Sequence, residues 1–347
     1  MNLQKQKNAD YLPEEEWQNV VKLFSDSTLM QCLLWAGPKR AQQKFSPIIV
    51  KNEEDKIVSA ALVKITKIPF LETGLASVVG GPLWRPYNGL ASIENFRRII
   101  RELKHEYAEK RGFYLRVEPN ALDERIQHLY DILKEEKFHP CHLNNHPYHT
   151  ISIDLPRSIN EFREGLKRQW RQNLDRSKKN QLEVVQGNNT DLFEIVERVY
   201  YEMRARKKFR YDHNIGNYSY CQDKLDPNLK YTVFICKYGG KAVSVLVISS
   251  VGDTAIAHVA GTTTEGLELR SSYYLWWTVL EWLITKGYRW FDTGGFDAVK
   301  SKGLCQFKAG LAGKYGKILT FHEFGYCDNL WNQLLVTRAY RLKHIFN

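Results

Sequence analysis

Apolar residues recur at intervals of three and four in one segment late in the chain, and this spacing predicts an amphipathic helix over 272–286. The repeating positions are Tyr274, Trp277, Leu280 and Ile284, with Glu281 and Lys286 on other faces. Gly287 then supplies a helix stop. The aromatic segment 288–292 follows at once, so the pattern predicts a helix that leads directly into a strand.

A similar succession occurs in the first half of the chain, where a helix over 93–110 leads into a strand over 113–117. A pair of strands precedes the helix in each half; these strands are predicted at 47–50, 59–65, 231–237 and 242–250. Gly239 and Gly240 form the turn of the later pair. The pattern therefore predicts an α/β chain with mixed sheets and two similar halves.

The division between the halves is placed near residue 155, where 151–156 reads as a strand running into a loop. This gives a first domain over 1–155 and a second over 156–328, followed by a helical segment that is basic at its end. The chain has 347 residues and is 43% hydrophobic, so it can bury two cores of ordinary size.

Apolar runs and cysteine usage indicate the cellular compartment in which the protein works. The chain has no run of eighteen apolar residues and begins with a polar segment, so we expect neither a signal peptide nor a membrane span. Its six cysteines include no Cys-x-x-Cys pair, which favours free thiols in a reducing compartment. The simplest interpretation is a cytoplasmic enzyme.

The charge predicts anionic partners. A formal net charge of +11 suits tRNA, nucleotide diphosphates, phospholipid headgroups or acidic glycans, and charge alone does not choose among them. Basic residues are densest in a predicted helix over 167–179 and in the segment 204–210. The first cluster is equally consistent with a solvated helix face.

The richest candidate chemistry follows the late strand. That strand ends in Phe291-Asp292-Thr293-Gly294-Gly295, and a short linker leads to Phe307-Lys308-Ala309-Gly310. The paired glycines allow a backbone path that side chains would block, and they open the strand end to a ligand. The order of helix, strand, glycine turn and lysine beside an aromatic ring is typical of acyltransferases.

These motifs resemble the FemABX family, aminoacyltransferases of peptidoglycan precursors that carry two domains of the GNAT (N-acetyltransferase-like) fold. Three further segments fit the family's order: 34–39 leading to 47–50, Gly80-Gly81-Pro82 leading to 114–119, and the basic helix ahead of 183–185. The resemblance implies tandem GNAT-like domains in the compact form without a coiled-coil arm. It also implies that the segment 329–347 packs on the first domain.

The resemblance implies a site. Its catalytic residues would be Lys308 and Asp292, and its substrate-binding residues Lys39, Arg206, Trp35, Tyr211, Gly295 and Phe307. In the family an early lysine and the arginine of an Arg-x-x-Phe element bind the substrate phosphate, and arginine suits this because its planar fork donates two parallel bonds. The family's threonine ahead of that arginine is replaced here by Met203-Arg204. Trp35 and Phe307 are also expected in the core.

Aminoacyl transfer requires an amine to attack an ester carbonyl while the enzyme stabilises the resulting oxyanion, a task for the Lys308 ammonium. Asp292 either orients the acceptor amine or caps the following turn. Cys305 as a nucleophile, His258 as a base and a zinc site in the histidine cluster of residues 139–149 are weaker alternatives. We expect no metal and no cofactor.

The leading hypothesis is transfer of an amino acid from aminoacyl-tRNA to an amine of lipid II or a UDP-MurNAc-peptide by a monomer that touches the cytoplasmic membrane face. One alternative is an N-acyltransferase of surface-polysaccharide or nucleotide-sugar synthesis that uses acyl-CoA. The segment 261–268 has two acidic residues and few glycines, which makes it a poor pyrophosphate cradle. A second alternative is a non-catalytic module that binds RNA or membranes.

Overall fold

The computed structural model describes residues 13–32, 44–122, 125–141, 143, 149–208, 214–296 and 301–345. The chain divides into two compact units. Unit 1 comprises Met1–Tyr148 together with Thr320–Asn347, and unit 2 comprises His149–Leu319. The division falls a few residues before the boundary predicted near 155, because the strand predicted at 151–156 joins the sheet of unit 2.

Unit 1 begins with two helices and four strands before the third helix. Its elements up to residue 141 are α1 (Glu14–Val21), β1 (Lys44–Lys51), β2 (Ile57–Lys67), β3 (Gly74–Val79), α2 (Ile93–Leu103), β4 (Tyr114–Glu118), α3 (Ile126–Glu135) and β5 (His139–Cys141). The predicted helix over 93–110 is confirmed, with its last part in the wider π conformation over Lys104–Lys110. Ser92 caps its start by accepting a hydrogen bond from the Glu94 backbone N–H.

Unit 2 continues the chain. Its elements are β6 (His149–Asp154), α4 (Ile159–Gly165), α5 (Arg168–Ser177), β7 (Leu182–Gly187), α6 (Leu192–Lys207), α7 (Ile215–Lys224), β8 (Thr232–Tyr238), β9 (Lys241–Val251), β10 (Thr254–Thr262), α8 (Thr264–Glu268), α9 (Ser271–Thr285), β11 (Trp290–Gly295), α10 (Lys302–Ala312) and β12 (Gly316–Thr320). The chain then returns to unit 1 with β13 (Glu323–Tyr326) and α11 (Leu330–Ile345).

The sheet of unit 1 has six strands in the order β1-β2-β3-β4-β13-β5. The pairing of β3 with β4 is parallel, and α2 forms the crossover between them. The helical spacing of α2 brings its apolar residues onto one buried face; these are Phe96, Ile99, Ile100 and Leu103. On α11, Val336 packs with Leu75 and Tyr114 in a smaller cluster.

The sheet of unit 2 has seven strands in the order β12-β6-β11-β10-β9-β8-β7. Here the parallel pair is β10 with β11, and α9 forms the crossover. The predicted helix over 272–286 is confirmed, but it buries a broader face than its spacing alone suggested, with Leu275, Trp276, Val279 and Leu283 also buried. The two mixed sheets confirm the predicted α/β class.

The two parallel strands of unit 2 pair over only part of their length. Their pairing runs from Thr254 opposite Trp290 to Ile256 opposite Asp292. Beyond that point β10 has an irregularity between Ala257 and Val259 in its pairing with β9. The regular pairing of β11 with β10 therefore ends just before the glycine turn, where the site described below is found.

No helix within the described ranges is both long and apolar enough to cross a bilayer.

Candidate active site

The end of β11 is built around a glycine that no other residue could replace. Gly294 has φ +79°, in the left-handed region that side chains disfavour. A Cβ atom at this position would also lie 2.5 Å from the carbonyl oxygen of Ala257 on β10. Both the backbone conformation and the close approach of the two strands therefore require glycine, and the carbonyl groups of the turn are left accessible to a neighbour.

That neighbour is Lys308. The sequence analysis assigned no secondary structure to Lys308; the structure places it in the helix α10, and the residue is only 4% exposed. Its Nζ donates hydrogen bonds to the carbonyl oxygen of Gly294 at 2.7 Å and to that of Gly295 at 3.0 Å. An ammonium group has three N–H donors, so the two contacts with described residues leave one for a substrate oxygen.

The environment of Lys308 tunes its charge. Burial lowers the pKa of its ammonium to about 8, against the opposing effects of Asp292 and Cys305. At neutral pH the group is therefore still mainly protonated, in a ratio of roughly ten to one. A cation held in a largely dry position can stabilise developing negative charge more strongly than one in water.

Asp292 fixes the turn. Its fully buried carboxylate accepts a hydrogen bond from the Gly294 backbone N–H at 2.8 Å and another from the Thr150 hydroxyl. Burial raises the pKa of the Asp292 carboxyl, while Thr150, the Gly294 N–H and Lys308 act in the opposite direction. Of the two roles left open from the sequence, these contacts display turn capping. A role in orienting the acceptor amine stays a prediction.

Thr150 is a site residue that the sequence analysis missed. It lies on β6, is fully buried, and its hydroxyl is also 3.0 Å from the Gly294 carbonyl oxygen. Strand pairing brings Thr150 to the site, because β6 lies next to β11 and Thr150 stands opposite Gly295. A threonine 142 positions away from its partner gives no local signal in the sequence.

An aromatic cluster holds α10 in place. The Phe307 ring is half-buried and lies 5.0 Å from Tyr273, 5.6 Å from Trp276 and 5.8 Å from Trp170, measured between ring centroids. Gly310 allows α10 to pack closely against Trp170, because a Cβ atom at position 310 would lie 3.0 Å from the Trp170 side chain. Phe307 thus packs at the margin of the core and orients the face of α10 that carries Lys308.

Arg206 lies near the end of α6 and reaches the far end of β10. Its Nη2 donates to the Thr262 carbonyl oxygen at 2.7 Å, and its Nη1 donates to Thr264 Oγ1 at 3.1 Å. The structure therefore brings together Lys308, Asp292, Gly295 and Phe307, and it places Arg206 at the loop that follows β10. Lys39, Trp35 and Tyr211 lie outside the described residues.

Two backbone amides of the loop after β10 already have hydrogen-bond acceptors within the protein. The Thr264 backbone N–H donates to a carboxylate oxygen of Glu202 at 3.0 Å, and the Gly266 N–H donates to Thr263 Oγ1 at 3.0 Å. These amides begin α8, within the segment 261–268 that the sequence analysis judged to be a poor pyrophosphate cradle. Glu202 was not identified from the sequence, which had pointed only to the acidic residues within the loop.

Three weaker candidates from the sequence are His258, Cys305 and the histidine cluster. His258 is hydrogen-bonded through Nε2 to Ser249 Oγ at 2.7 Å and lies beside the Tyr231 ring. Cys305 is half-buried on α10. Among the described residues, no group of three or more His, Cys, Asp or Glu could hold a metal ion, and His142 and His146 lie outside that set.

Comparisons with known proteins identify the fold. No protein-family model and no curated protein matches the chain. A crystal structure of FemX superposes with a TM-score of 0.76 at 14% identity, covering 94% of this chain and 99% of that one. This chain has the FemX-like double GNAT fold.

Two further structures support the FemX-like fold more weakly. The structure of L-PGS from Bacillus licheniformis superposes with a TM-score of 0.53 at 13% identity and covers 97% of this chain and 98% of that one. The C-terminal domain of a putative lysylphosphatidylglycerol synthetase from Agrobacterium fabrum gives 0.56 at 12% identity, covering 95% and 94%. The predicted tandem fold is therefore confirmed at the level of architecture.

Proposed function

We propose that this protein is an aminoacyltransferase that moves an amino acid from aminoacyl-tRNA to an amine of a peptidoglycan precursor, either lipid II or a UDP-MurNAc-peptide. The observation that carries the proposal is the buried Lys308 ammonium, held by the Gly294 and Gly295 carbonyls with one N–H left for a substrate. No cofactor is required, because the donor ester is already activated.

The chemistry follows from that ammonium. The acceptor amine attacks the ester carbonyl carbon, which forms the C–N bond and turns the carbonyl oxygen into an oxyanion. Collapse of this intermediate breaks the C–O bond to the tRNA ribose, and a proton from the attacking nitrogen passes to the departing ribose oxygen, which leaves a peptide bond and a free ribose hydroxyl. The remaining N–H of Lys308 donates to the oxyanion as its charge grows. One such donor contributes roughly 3 kcal/mol of transition-state stabilisation. Asp292 and Thr150 contribute by keeping the glycine turn, and hence the ammonium, in place.

The donor is inferred from the loop that follows β10. Glu202 accepts a hydrogen bond from the first amide of α8, so a carboxylate already stands where a pyrophosphate would need free N–H groups. This arrangement disfavours acyl-CoA. The name of the Agrobacterium fabrum neighbour, a putative lysylphosphatidylglycerol synthetase, denotes joining an aminoacyl group to a lipid, which supports an aminoacyl donor for this fold.

The acceptor is inferred from charge. Arg206 presents its guanidinium at the end of β10, and among the described residues two of its five N–H donors are used, by Thr262 and Thr264. The remaining N–H groups of this guanidinium suit a diphosphate, which lipid II and UDP-MurNAc-peptides both carry, and they do not draw on the α8 amide that Glu202 occupies. Lys39 is proposed as the second phosphate ligand, with Trp35 and Tyr211 lining the same substrate.

The decisive experiment incubates the purified protein with mixed tRNA charged with radiolabelled amino acids and a pool of muropeptide precursors, with and without ribonuclease. Ribonuclease-sensitive label on a precursor, absent with Lys308→Ala, is the expected result. Transfer from acyl-CoA to a nucleotide sugar in a parallel reaction, without label from tRNA, would replace the proposal with the acyl-CoA alternative. Salt-sensitive RNA binding without any transfer would indicate a non-catalytic module.

A further inference from the structure

Two separate segments of unit 1 meet at one carbonyl group. Thr73, at the end of the loop between β2 and β3, donates a hydrogen bond to the Gly112 carbonyl oxygen at 2.7 Å. Asn332, in the first turn of α11, donates to the same oxygen at 3.0 Å. The loop over residues 68–73 and the start of α11 are therefore neighbours on the surface of unit 1.

Both segments expose large apolar side chains, which we call the apolar rim. Its members, with their exposed fractions, are Phe70 (104%), Trp331 (75%), Leu330 (74%), Leu334 (50%), Leu335 (45%) and Leu71 (41%). The opposite face of α11 is already used, because Val336 is buried against Leu75 and Tyr114. A helix that packs on its own unit normally turns polar residues to water, so a second apolar face indicates a partner.

The backbone at Phe70 supports this interpretation. Phe70 has φ +65°, a conformation that bulky residues rarely adopt and that glycine or asparagine would accept more easily. It stands in a tight turn closed by a hydrogen bond from the Leu71 N–H to the Ile68 carbonyl oxygen at 3.1 Å. The protein thus holds a phenyl ring fully outward at a strained position, where the ring gains no burial within the described structure.

Charge identifies the partner. Asp328 is the last acidic residue of the sequence, and residues 329–347 carry only basic charges, at Arg338, Arg341 and Lys343, with His344 beside them. Arg338 is exposed, one turn along α11 from Leu334 and Leu335. Glu72, the acidic residue of the loop, is ion-paired with Lys67 at 3.4 Å. Exposed tryptophan, leucine and phenylalanine beside a segment whose charged side chains are all basic are the features of a helix that lies in an anionic membrane interface.

We propose that the apolar rim docks unit 1 on an anionic lipid bilayer. Phe70 and Trp331 enter the headgroup region, the leucines of α11 lie along the acyl boundary, and Arg338 remains level with the lipid phosphates. The proposal stands on exposure and charge in unit 1 and does not depend on the proposed transfer reaction. If both hold, a membrane-bound acceptor such as lipid II would be met at the surface where it resides.

The test is sedimentation of the purified protein with vesicles of phosphatidylcholine, alone or mixed with phosphatidylglycerol. Binding to the mixed vesicles that weakens with salt is expected for the wild type. Combined substitution Phe70→Ser, Trp331→Ser and Leu334→Ser should lower the partition coefficient about tenfold or more, since three apolar side chains leave the interface. Ile318→Ser is the matched control, because Ile318 is 70% exposed on β12 of unit 2 and isomeric with leucine.

Several results would overturn the proposal. The first is a wild type that does not bind anionic vesicles, and the second is a triple variant that binds them as well as the wild type. The third is a wild-type dimer that the triple substitution converts to monomer, because that result would assign the apolar rim to a second copy of the chain. Transfer to a soluble UDP-MurNAc-peptide, assayed without lipid, should be equal in wild type and triple variant. Vesicle binding without any transfer would leave this inference intact and remove the proposed function alone.

Discussion

Lys308 and Asp292 are joined through a single glycine. The Lys308 ammonium donates to the carbonyl oxygen of Gly294, and the backbone N–H of Gly294 donates to the Asp292 carboxylate. The cation and the carboxylate of the site are therefore fixed by opposite ends of one residue. A displacement of this turn would move both groups together, so the geometry of the site depends on Gly294 as much as on either charged side chain.

Substitution of Lys308 by methionine should abolish most activity without unfolding the protein. Loss of one oxyanion donor is expected to lower kcat by roughly 100-fold to 1000-fold. The thioether fills the same space, and the unpaired Gly294 and Gly295 carbonyls cost about 1–3 kcal/mol, offset by removal of a buried charge. The matched control is Lys302→Met, an exposed lysine on the same helix, which should leave kcat unchanged. Equal loss in both variants would contradict the assignment.

The buried ammonium should also leave a signature in the stability of the wild type. The pKa of Lys308 is about 8 in the folded protein against an ordinary value of 10.5. Between these values the unfolded chain holds a proton that the folded chain has released, so stability rises with pH across this window. The gain amounts to roughly 3 kcal/mol. It should appear as an increase in the unfolding free energy of wild type relative to Lys308→Met, measured by urea titration; a constant difference would count against the burial of the charge.

Asp292→Asn should shift the basic limb of the pH–rate profile to lower pH. The carboxylate raises the pKa of Lys308, so an uncharged amide at the same place lets that pKa fall. The ammonium is then lost at a lower pH, while the amide oxygen still accepts hydrogen bonds from Gly294 and Thr150. The measurement is kcat as a function of pH for wild type and variant. A basic limb that stays in place would show that Lys308 does not act as the cation.

Gly294→Ala should disrupt the site through the backbone. The new Cβ would lie 2.5 Å from the Ala257 carbonyl oxygen in a left-handed conformation, so a loss of unfolding free energy of about 2 kcal/mol or more is expected, together with loss of activity. Gly303→Ala is the matched control: a Cβ atom at that helical position meets nothing within 4 Å, so it should be neutral or stabilise by up to about 1 kcal/mol. Thermal unfolding of both variants decides the matter, and similar Tm values would refute the tight approach of β10 and β11.

Arg206→Ala should raise KM for an acceptor that carries a diphosphate while kcat stays near its wild-type value. The guanidinium is proposed to contribute ground-state binding, and loss of such a charge-assisted contact typically costs about 1.5–3 kcal/mol, or roughly 10-fold to 150-fold in KM. Arg198→Ala removes the same charge from an exposed position on the same helix and serves as the control. The effect should vanish with a muropeptide acceptor that lacks phosphate; persistence there would point to a structural role for Arg206.

The sequence was most informative where local periodicity and long-range packing agree. The helix α9 and the strands β8, β9 and β11 were all predicted within a few residues, because their apolar spacing matches the faces they bury. The helical state of α10 was missed. Gly303 and Gly310 weaken the helix propensity of this segment, and packing of Phe307 on the aromatic side chains of α5 and α9 overrides that weak propensity.

Contacts between distant positions were beyond sequence reasoning. Thr150 reaches Asp292 only because β6 pairs with β11, and Glu202 reaches Thr264 only because α6 packs on the end of β10. Neither residue belongs to a local motif, and each is of a type that is common on protein surfaces. The lysine and the glycine turn, by contrast, were visible as a motif, and the structure brings them together as the motif suggested.

The position of β13 sets an order for folding. This strand lies between β4 and β5 in the sheet of unit 1, and its Glu323 accepts a hydrogen bond from the Leu143 N–H, 180 positions earlier. During synthesis the sheet of unit 1 stays incomplete, with no strand between β4 and β5, until the whole of unit 2 has left the ribosome. Unit 2 is continuous in sequence and can close its own sheet first. We therefore expect the half that is made first to become native last, and its unpaired strand edges to be the main hazard for aggregation on the way.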